Sequence, residues 1–311
     1  MNRKVIRDAA GQALSWFASS LTIAVCFGII AYLFVKGSAQ INLDFIITEP
    51  NPTVNQAMSG GISTPIVGTF LLTVIGTIIA FPIALATSIY LAEYAKKNMV
   101  SSLFRTGIDV LAGVPTIVIA IFGLAVFSNP QLGVFSSMVE GVKGANRAFG
   151  RSFLICGISM AVMILPFVIK TCEEAIKAVP KAYMEGSLAM GASKWHSITR
   201  IVLPAANSGI ITGVILGMGR IIGDTAIVWL TLGGTLRMTG IQPWWSPINW
   251  ISTLRNTGST LTSFIFFASP AGEGNQPEKA FGASFVLIII IILLNFVTEL
   301  IARSRKTVKE E

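Results

Sequence analysis

Charged residues are scarce in this chain: they make up 12% of its 311 residues, against roughly a quarter in soluble domains. Histidine occurs only at position 196, which excludes metal sites built on histidine pairs and most catalytic triads that depend on histidine. The three cysteines, Cys26, Cys156 and Cys172, lie far apart in or beside apolar segments, without metal-ligand spacing. We therefore expect neither a disulfide framework nor a metal site.

A nucleotide phosphate-binding loop is also missing. The motif G-x-x-x-x-G-K-[ST] needs a lysine, and the nearest approach, GSLAMGAS at 186–193, lacks it. The chain is therefore not expected to hydrolyse ATP in this way. The formal net charge of +8 does not indicate nucleic-acid binding, because the Lys and Arg residues flank apolar runs and form no common face.

Hydrophobic residues make up 53% of the chain, in runs near or above the roughly 18 to 20 residues that cross a bilayer as a helix. A long backbone in lipid must be helical or a closed barrel, and continuous apolar runs favour helices. The sequence predicts an all-α integral membrane protein. Its six transmembrane helices are expected at about 16–35, 65–91, 108–127, 152–169, 205–232 and 281–301.

The distribution of basic residues predicts the orientation. With both termini in the cytoplasm, the inner segments hold fifteen Lys and Arg and the outer segments hold seven. We therefore expect an N-in, C-in topology. The predicted units are an N-terminal tail, first helix and outer segment at 1–62, a transmembrane domain at 63–303 with a cytoplasmic loop at 173–204, and a cytoplasmic tail at 304–311.

A polar and basic stretch at 185–204, EGSLAMGASKWHSITRIVLP, lies between two apolar segments. We expect a helix at 173–190, ended by Gly191 in left-handed geometry, then a second short helix capped by Ser193. Pro204 is expected to stop that helix and to begin the next span. Trp195 and Ile198, three residues apart, are expected to share an exposed apolar face. Composition alone would also suit a loop resting on lipid headgroups.

The spacing of this stretch resembles the cytoplasmic loop of bacterial ABC importer permeases, written E-A-A, three residues, G, nine residues, I-x-L-P. Two small residues replace the alanines. The resemblance implies that loop 173–204, here the coupling loop, docks a separate ATPase that uses ATP and Mg²⁺. The residues that carry it are Glu185, Gly186, Ser187, Gly191, Trp195, Ile201, Leu203 and Pro204.

Two charges interrupt the fifth predicted span. Arg220 and Asp224 are one turn apart in a helix with glycines at four-residue spacing, 209, 213 and 217 and again 219 and 223, which suits close helix packing. An ionised group at the centre of a bilayer costs from about 2.5 kcal/mol to far more. From the residues alone, a functional pathway and a purely structural ion pair are about equally expected.

The segment GRIIGDTA resembles R-x-x-G-E-T-A of PstA-type permeases, the membrane subunits of phosphate ABC importers. GGISTPIVGTFLLTVIGTIIAFPIALATSIYLAEY, DVLAGVPTIVIAIFG and LTSFIFFASPAGEG resemble further segments, so that the likeness covers about 60–301. It implies a type I ABC importer permease fold and places Arg220, Asp224 and Thr225 on the phosphate path. Asp224 stands where the family has Glu, which shortens the reach of the carboxylate.

The sequence therefore predicts a non-enzymatic permease subunit of a phosphate importer in the bacterial inner membrane, without a cofactor of its own. The expected partners are two copies of an ATPase subunit, a sister PstC-type permease, an extracytoplasmic phosphate-binding protein and phosphate. Alternatives are an ABC permease for another oxyanion or an amino acid, and a stand-alone secondary transporter or channel, which leaves the coupling loop unexplained.

Overall fold

The structure, a computed structural model, describes residues 3–50, 60–96, 98–139 and 147–307. These residues are almost entirely helical. One short antiparallel hairpin pairs β1 (Met138–Val139) with β2 (Arg147–Ala148). The helices are α1 (Arg3–Ser38), α2 (Leu43–Ile47), α3 (Ser63–Ile89), α4 (Met99–Gly113), α5 (Thr116–Phe127), α6 (Phe153–Lys177), α7 (Lys181–Ala189), α8 (Lys194–Ser197), α9 (Leu203–Gly223), α10 (Trp250–Arg255), α11 (Leu261–Ala268) and α12 (Pro277–Thr307).

Among the described residues, five helical stretches are long and apolar enough to cross a membrane: Gly11–Ser38, Ser63–Tyr94, Phe153–Lys177, Lys194–Gly223 and Pro277–Val297. This confirms an all-helical membrane protein. The last span continues as helix α12 to Thr307, so residues 304–307 of the predicted tail are helical, and residues 308–311 lie outside the described residues.

The predicted third span, 108–127, is wrong as one straight helix. It is divided between α4 and α5, which meet at an angle of 99°. Val114 between them is extended, with ψ 126°, because the ring of Pro115 disfavours helical geometry in the preceding residue. A sixth span exists only if this bent pair crosses the membrane together.

The predicted fifth span, 205–232, is also not continuous. Helix α9 ends at Gly223, and Asp224 is extended, with φ −81° and ψ 131°. A second helical segment occupies 226–232, the last part of it a π-turn at Val228–Leu232. The break therefore falls within the segment that carries the candidate pathway residues.

The core is built on α6, which packs against α3 on one side and α9 on the other. The α9 contact uses the first glycine series: a Cβ at Gly209 would lie 2.6 Å from the Cβ of Ala175, and one at Gly213 would lie 2.9 Å from Thr171 Cγ2. The predicted close packing is confirmed for this series. At Gly219 and Gly223 no atom lies within 4 Å of such a Cβ, so the second series faces open space.

This difference gives a stability prediction. Gly209→Leu should destabilise the chain by about 1–3 kcal/mol, because a side chain forced into a filled helix contact displaces its neighbours. Gly219→Leu is the matched control on the same helix and should leave the thermal unfolding midpoint of the detergent-purified chain near that of the wild type. Equal shifts for both variants would contradict the assigned packing face.

Candidate coupling loop and substrate pathway

The coupling loop is a pair of short helices, α7 and α8. The predicted single helix at 173–190 is wrong, because α6 ends at Lys177 and α7 begins at Lys181. Pro180 lies between them with ψ 130°, and a proline in a helix interior removes a hydrogen bond and clashes with the preceding turn. The loop thus leaves the core at a fixed corner.

Four residues, two of them from the motif, shape the turn between α7 and α8. Gly191 has a φ of +85°, which confirms the predicted left-handed helix end. The hydroxyl of Ser193 accepts a hydrogen bond from the backbone N–H of His196 at 3.3 Å, which confirms the predicted cap. The hydroxyls of Ser187 and Ser197 lie 2.8 Å apart and join the two helices. Ser187 therefore does more than occupy a small-residue position.

Pro204 does not stop the second helix. Residues Lys194–Gly223 form one continuous helical stretch, in which Ile198–Val202 is a π-turn. Because Pro204 has no N–H to donate, a wider turn just before it keeps the chain helical. Ile201 and Leu203 of the motif are partly buried there. A displacement of α8 is consequently passed along an unbroken helix.

The outer surface of the loop combines one carboxylate with apolar side chains. Glu185 and Gly186 are exposed. The exposed large hydrophobic side chains are Tyr183 at 54%, Leu188 at 43%, Met190 at 88% and Trp195 at 58%. The predicted face shared by Trp195 and Ile198 is wrong, because Ile198 is completely buried. Trp195 instead belongs to a surface made mainly by α7 and the turn.

The loop is fastened to the end of α3. Lys194 donates to the backbone carbonyl of Glu93 and lies 4.5 Å from the centre of the Tyr94 ring. Both partners belong to a π-turn, Tyr90–Tyr94, whose sequence is YLAEY. A cavity of about 350 Å³ separates this turn from α7 and is lined by Glu185 among others. Lys194 thus fastens α8 to the end of α3 while remaining exposed.

The break after α9 is held by three neighbouring groups. Asp224 Oδ1 accepts a hydrogen bond from the backbone N–H of Ile227 at 2.8 Å and so caps the 226–232 segment. The side chain of Thr116, at the start of α5, lies beside this carboxylate. The hydroxyl of Thr262, in the first turn of α11, donates to the Asp224 carbonyl at 3.2 Å. Three helical segments therefore begin at one point.

Helix α5, which begins at this point, is too short to cross a bilayer by itself. Helix α5 has 12 residues and is about 18 Å long, against about 30 Å for the hydrocarbon core. A helix of that length that ends at one membrane surface begins within the membrane. Broken helices at such depth are tolerated where the backbone is buried in protein or lines a cavity.

Arg220 lies on the exposed face of α9. Thr212, Leu216 and Gly223 are exposed on the same face. The ion pairs found among the described residues do not include one between Arg220 and Asp224. The helix ends between the two residues, and the carboxylate is used as a cap, so the charges are near each other without being bridged. Thr225 is half-buried in the break, and its carbonyl accepts from Trp229 N–H at 2.9 Å.

The structure thus brings Arg220, Asp224 and Thr225 together at one break and places the motif residues of the coupling loop at the other end of the same helix. Sequence reasoning missed Thr116 and Thr262. The signal for Thr116 was the proline before it, which marks a broken helix. Thr262 carried no such signal, because its contact with Asp224 joins residues that are 38 positions apart.

A comparison with protein families decides the assignment. Residues 84–304 match the family described as binding-protein-dependent transport system inner membrane component. The chain belongs to this family. It is therefore a permease component of an ABC transport system, a multi-pass protein of the inner membrane.

Curated relatives agree with this assignment. The permease is 30% identical to the probable ABC transporter permease protein YqgI of Bacillus subtilis (strain 168), over 95% of this chain and 94% of that protein. It is 30% identical to phosphate transport system permease protein PstC of Xylella fastidiosa (strain Temecula1), over 96% and 91%. It is 29% identical to PstA 1 of Mycobacterium tuberculosis (strain CDC 1551), over 79% and 72%.

Solved structures share the fold. A bacterial alginate ABC transporter aligns with a TM-score of 0.64 at 17% identity, over 97% of this chain and 96% of that chain. The MetNI methionine ABC transporter in an inward-facing conformation aligns with a TM-score of 0.57 at 17% identity, over 78% and 94%. The broken spans and the helix pair of the coupling loop therefore belong to a permease fold.

Proposed function

We propose that this permease is one of two membrane subunits of an ATP-driven phosphate importer. The observation that carries the proposal is Arg220, an arginine exposed on an apolar helix three residues before the helix breaks. An arginine that faced lipid there would cost about 2.5 kcal/mol or more. A neighbouring subunit and a polar pathway between the two subunits remove that cost. The relatives that are phosphate permeases indicate the class of substrate.

The chemistry of the break suits an oxyanion. A guanidinium stays charged in a low-dielectric site and offers a fork that matches two phosphate oxygens. The positive ends of helices attract anions, and α5 and the 226–232 segment both begin beside Asp224. In the proposal, phosphate passes Arg220 while Asp224 and Thr225 keep the break open. Another oxyanion or an amino acid carboxylate would use the same groups and is the alternative that the assay below separates.

The partners follow from the family and from the coupling loop. The permease pairs with a sister PstC-type permease, two copies of an ATPase subunit and an extracytoplasmic phosphate-binding protein, with both termini and the loop in the cytoplasm. The permease itself makes no chemical bond, and ATP and Mg²⁺ are used by the ATPase. Alternating access is driven by ATPase closure, which displaces α7 and α8 and is passed along the helix Lys194–Gly223 to Arg220.

The proposal is tested by ATP hydrolysis in the purified transporter complex. Phosphate-loaded binding protein should stimulate hydrolysis several-fold, as expected when a ligand shifts a conformational equilibrium by about 1–3 kcal/mol. Binding proteins loaded with sulfate or an amino acid should not stimulate it. Stimulation by one of these in place of phosphate would assign a different substrate, and no co-purifying ATPase would contradict the coupling role.

Gly191→Val should prevent the ATPase from co-purifying with the permease. A β-branched residue at a φ of +85° costs roughly 1–2 kcal/mol, so the turn between α7 and α8 must rearrange. Gly28→Val is the control, because it makes the same change at a helical glycine outside the coupling loop, where a Cβ meets nothing within 4 Å. Retention of the ATPase by the Gly191 variant would show that the shape of this turn is not what the partner recognises.

A further inference from the structure

An ion cluster around the buried carboxylate of Glu173 joins α4, α6 and the end of α3. The side chain of Glu173 is only 8% exposed, and its Oε1 lies 2.6 Å from Arg105 Nη1 and 2.6 Å from Lys177 Nζ. The second guanidinium nitrogen of Arg105 donates to the Leu91 carbonyl at 3.1 Å. Arg105 lies between the second and third predicted spans, but α4 begins at Met99 and makes it a helical residue.

A second ion pair connects the same two helices one turn away. Lys170 Nζ lies 2.5 Å from Asp109 Oδ1, and both side chains are about half exposed. Pairs of this exposure add little to stability. Together with the Glu173 cluster, however, they connect α4 to α6 at two points, Arg105 with Glu173 and Asp109 with Lys170.

The Glu173 cluster and the Asp109–Lys170 pair lie between the coupling helices and the Asp224 break. At one end, Glu173 and Lys177 lie in the last turns of α6, immediately before the Pro180 corner and α7. At the other end, α4 leads to the 99° bend, after which Thr116 begins α5 and contacts Asp224. A rotation of the end of α6 therefore moves α4, and α4 moves the residue that holds the break.

We propose that Arg105 and Glu173 are positioning residues that carry the motion of the coupling helices to the Asp224 break through α4 and α5, a second route beside the continuous helix α9. The proposal rests on the transport function proposed above. Buried ion pairs are weak devices for stability, since apolar replacements are often neutral or better. They do fix relative orientation, which is what a transmission element between two moving helices requires.

The first test measures phosphate transported per ATP hydrolysed in proteoliposomes that contain the whole transporter. Glu173→Gln should lower this ratio roughly tenfold while ATP hydrolysis stays near that of the wild type, because residues between two sites modulate their coupling by about 0.5–2 kcal/mol. Glu174→Gln is the control, an exposed carboxylate one position away. Parallel losses of transport and hydrolysis in the Glu173 variant would overturn the proposal.

Because Asp109 and Lys170 are both exposed, their charges can be exchanged without placing a charge in a buried site. Asp109→Lys alone should lower the ratio several-fold, within the same range of coupling energies. The exchange Asp109→Lys with Lys170→Asp restores an ion pair between the same positions and should recover most of the ratio. Failure of the exchange to recover it would show that α4 is not driven through its ties to α6.

A labelling experiment tests the α4 route independently of which anion is transported. Ile117 is 51% exposed at the start of α5, and Ile117→Cys in a Cys26→Ser background leaves two buried native cysteines. Reaction with a methanethiosulfonate should differ between nucleotide-free transporter and transporter trapped with ATP and vanadate. Glu173→Gln should abolish that difference. A difference that persists overturns the α4 route, whatever anion the transporter carries.

Discussion

Arg220→Gln should lower ATP-dependent phosphate uptake at least roughly tenfold, the loss expected when charge-assisted hydrogen bonds worth about 1.5–3 kcal/mol are removed. Glutamine keeps a similar length and can still donate hydrogen bonds, but it has no charge. Arg220→Lys should give an uptake rate between those of the wild type and Arg220→Gln, because an ammonium keeps the charge but cannot bind two oxygens as the guanidinium does. Uptake of radiolabelled phosphate by cells that express the whole transporter is the measurement, with permease levels matched by immunoblot.

The control for this prediction lies on the same helix. Thr212 is exposed on the face that carries Arg220, and its hydroxyl donates to its own helix, to the Ser208 carbonyl at 2.8 Å. Thr212→Ala therefore changes the same face without changing its charge and should leave uptake close to that of the wild type. Undiminished uptake in Arg220→Gln at normal expression would remove this arginine from the pathway.

Asp224→Ala should both destabilise the break and stop transport, whereas Asp224→Asn should affect transport alone. Alanine removes the oxygen that accepts from Ile227, a cap worth about 1 kcal/mol, and also the partner of Thr116. Asparagine keeps a carbonyl oxygen for the cap and removes only the charge beside Arg220. The thermal unfolding midpoint and the uptake rate, measured on the same preparations, separate these two contributions.

Two outcomes would contradict this account of Asp224. If the alanine variant unfolds at the wild-type temperature, the carboxylate does not hold the break. If the asparagine variant transports phosphate at the wild-type rate, the negative charge beside Arg220 has no part in transport, and Asp224 is a helix cap only.

Much of the fold could be predicted from the sequence because local patterns determine it. Apolar runs identified the spans, Gly191 required its left-handed conformation, and Ser193 was placed to cap α8. The α9 glycine series indicated close packing before the contact with α6 was known. These features depend on residues within one or two turns of each other.

The break after α9 and the ion cluster depend in part on residues that are distant in sequence, and there the prediction was incomplete. GDTA contains no proline, and the break in its helix is held by the Asp224 cap on Ile227 and by Thr262 of α11. Glu173 could be paired with Lys177 by helical spacing, but Arg105 is 68 positions away. Pro204 was expected to end a helix, and a π-turn absorbed it instead. In the first two cases tertiary contacts added to the local rules, and at Pro204 a change in the local helix geometry did.

We expect above all that this permease transports phosphate as part of a complex that hydrolyses ATP. It is tested most directly by reconstituting the purified complex in proteoliposomes and measuring radiolabelled phosphate accumulation with and without ATP. The predicted result is accumulation that requires ATP and the phosphate-loaded binding protein and is lost in Arg220→Gln. Accumulation without ATP, or ATP-dependent accumulation of a different solute with phosphate excluded, would contradict it.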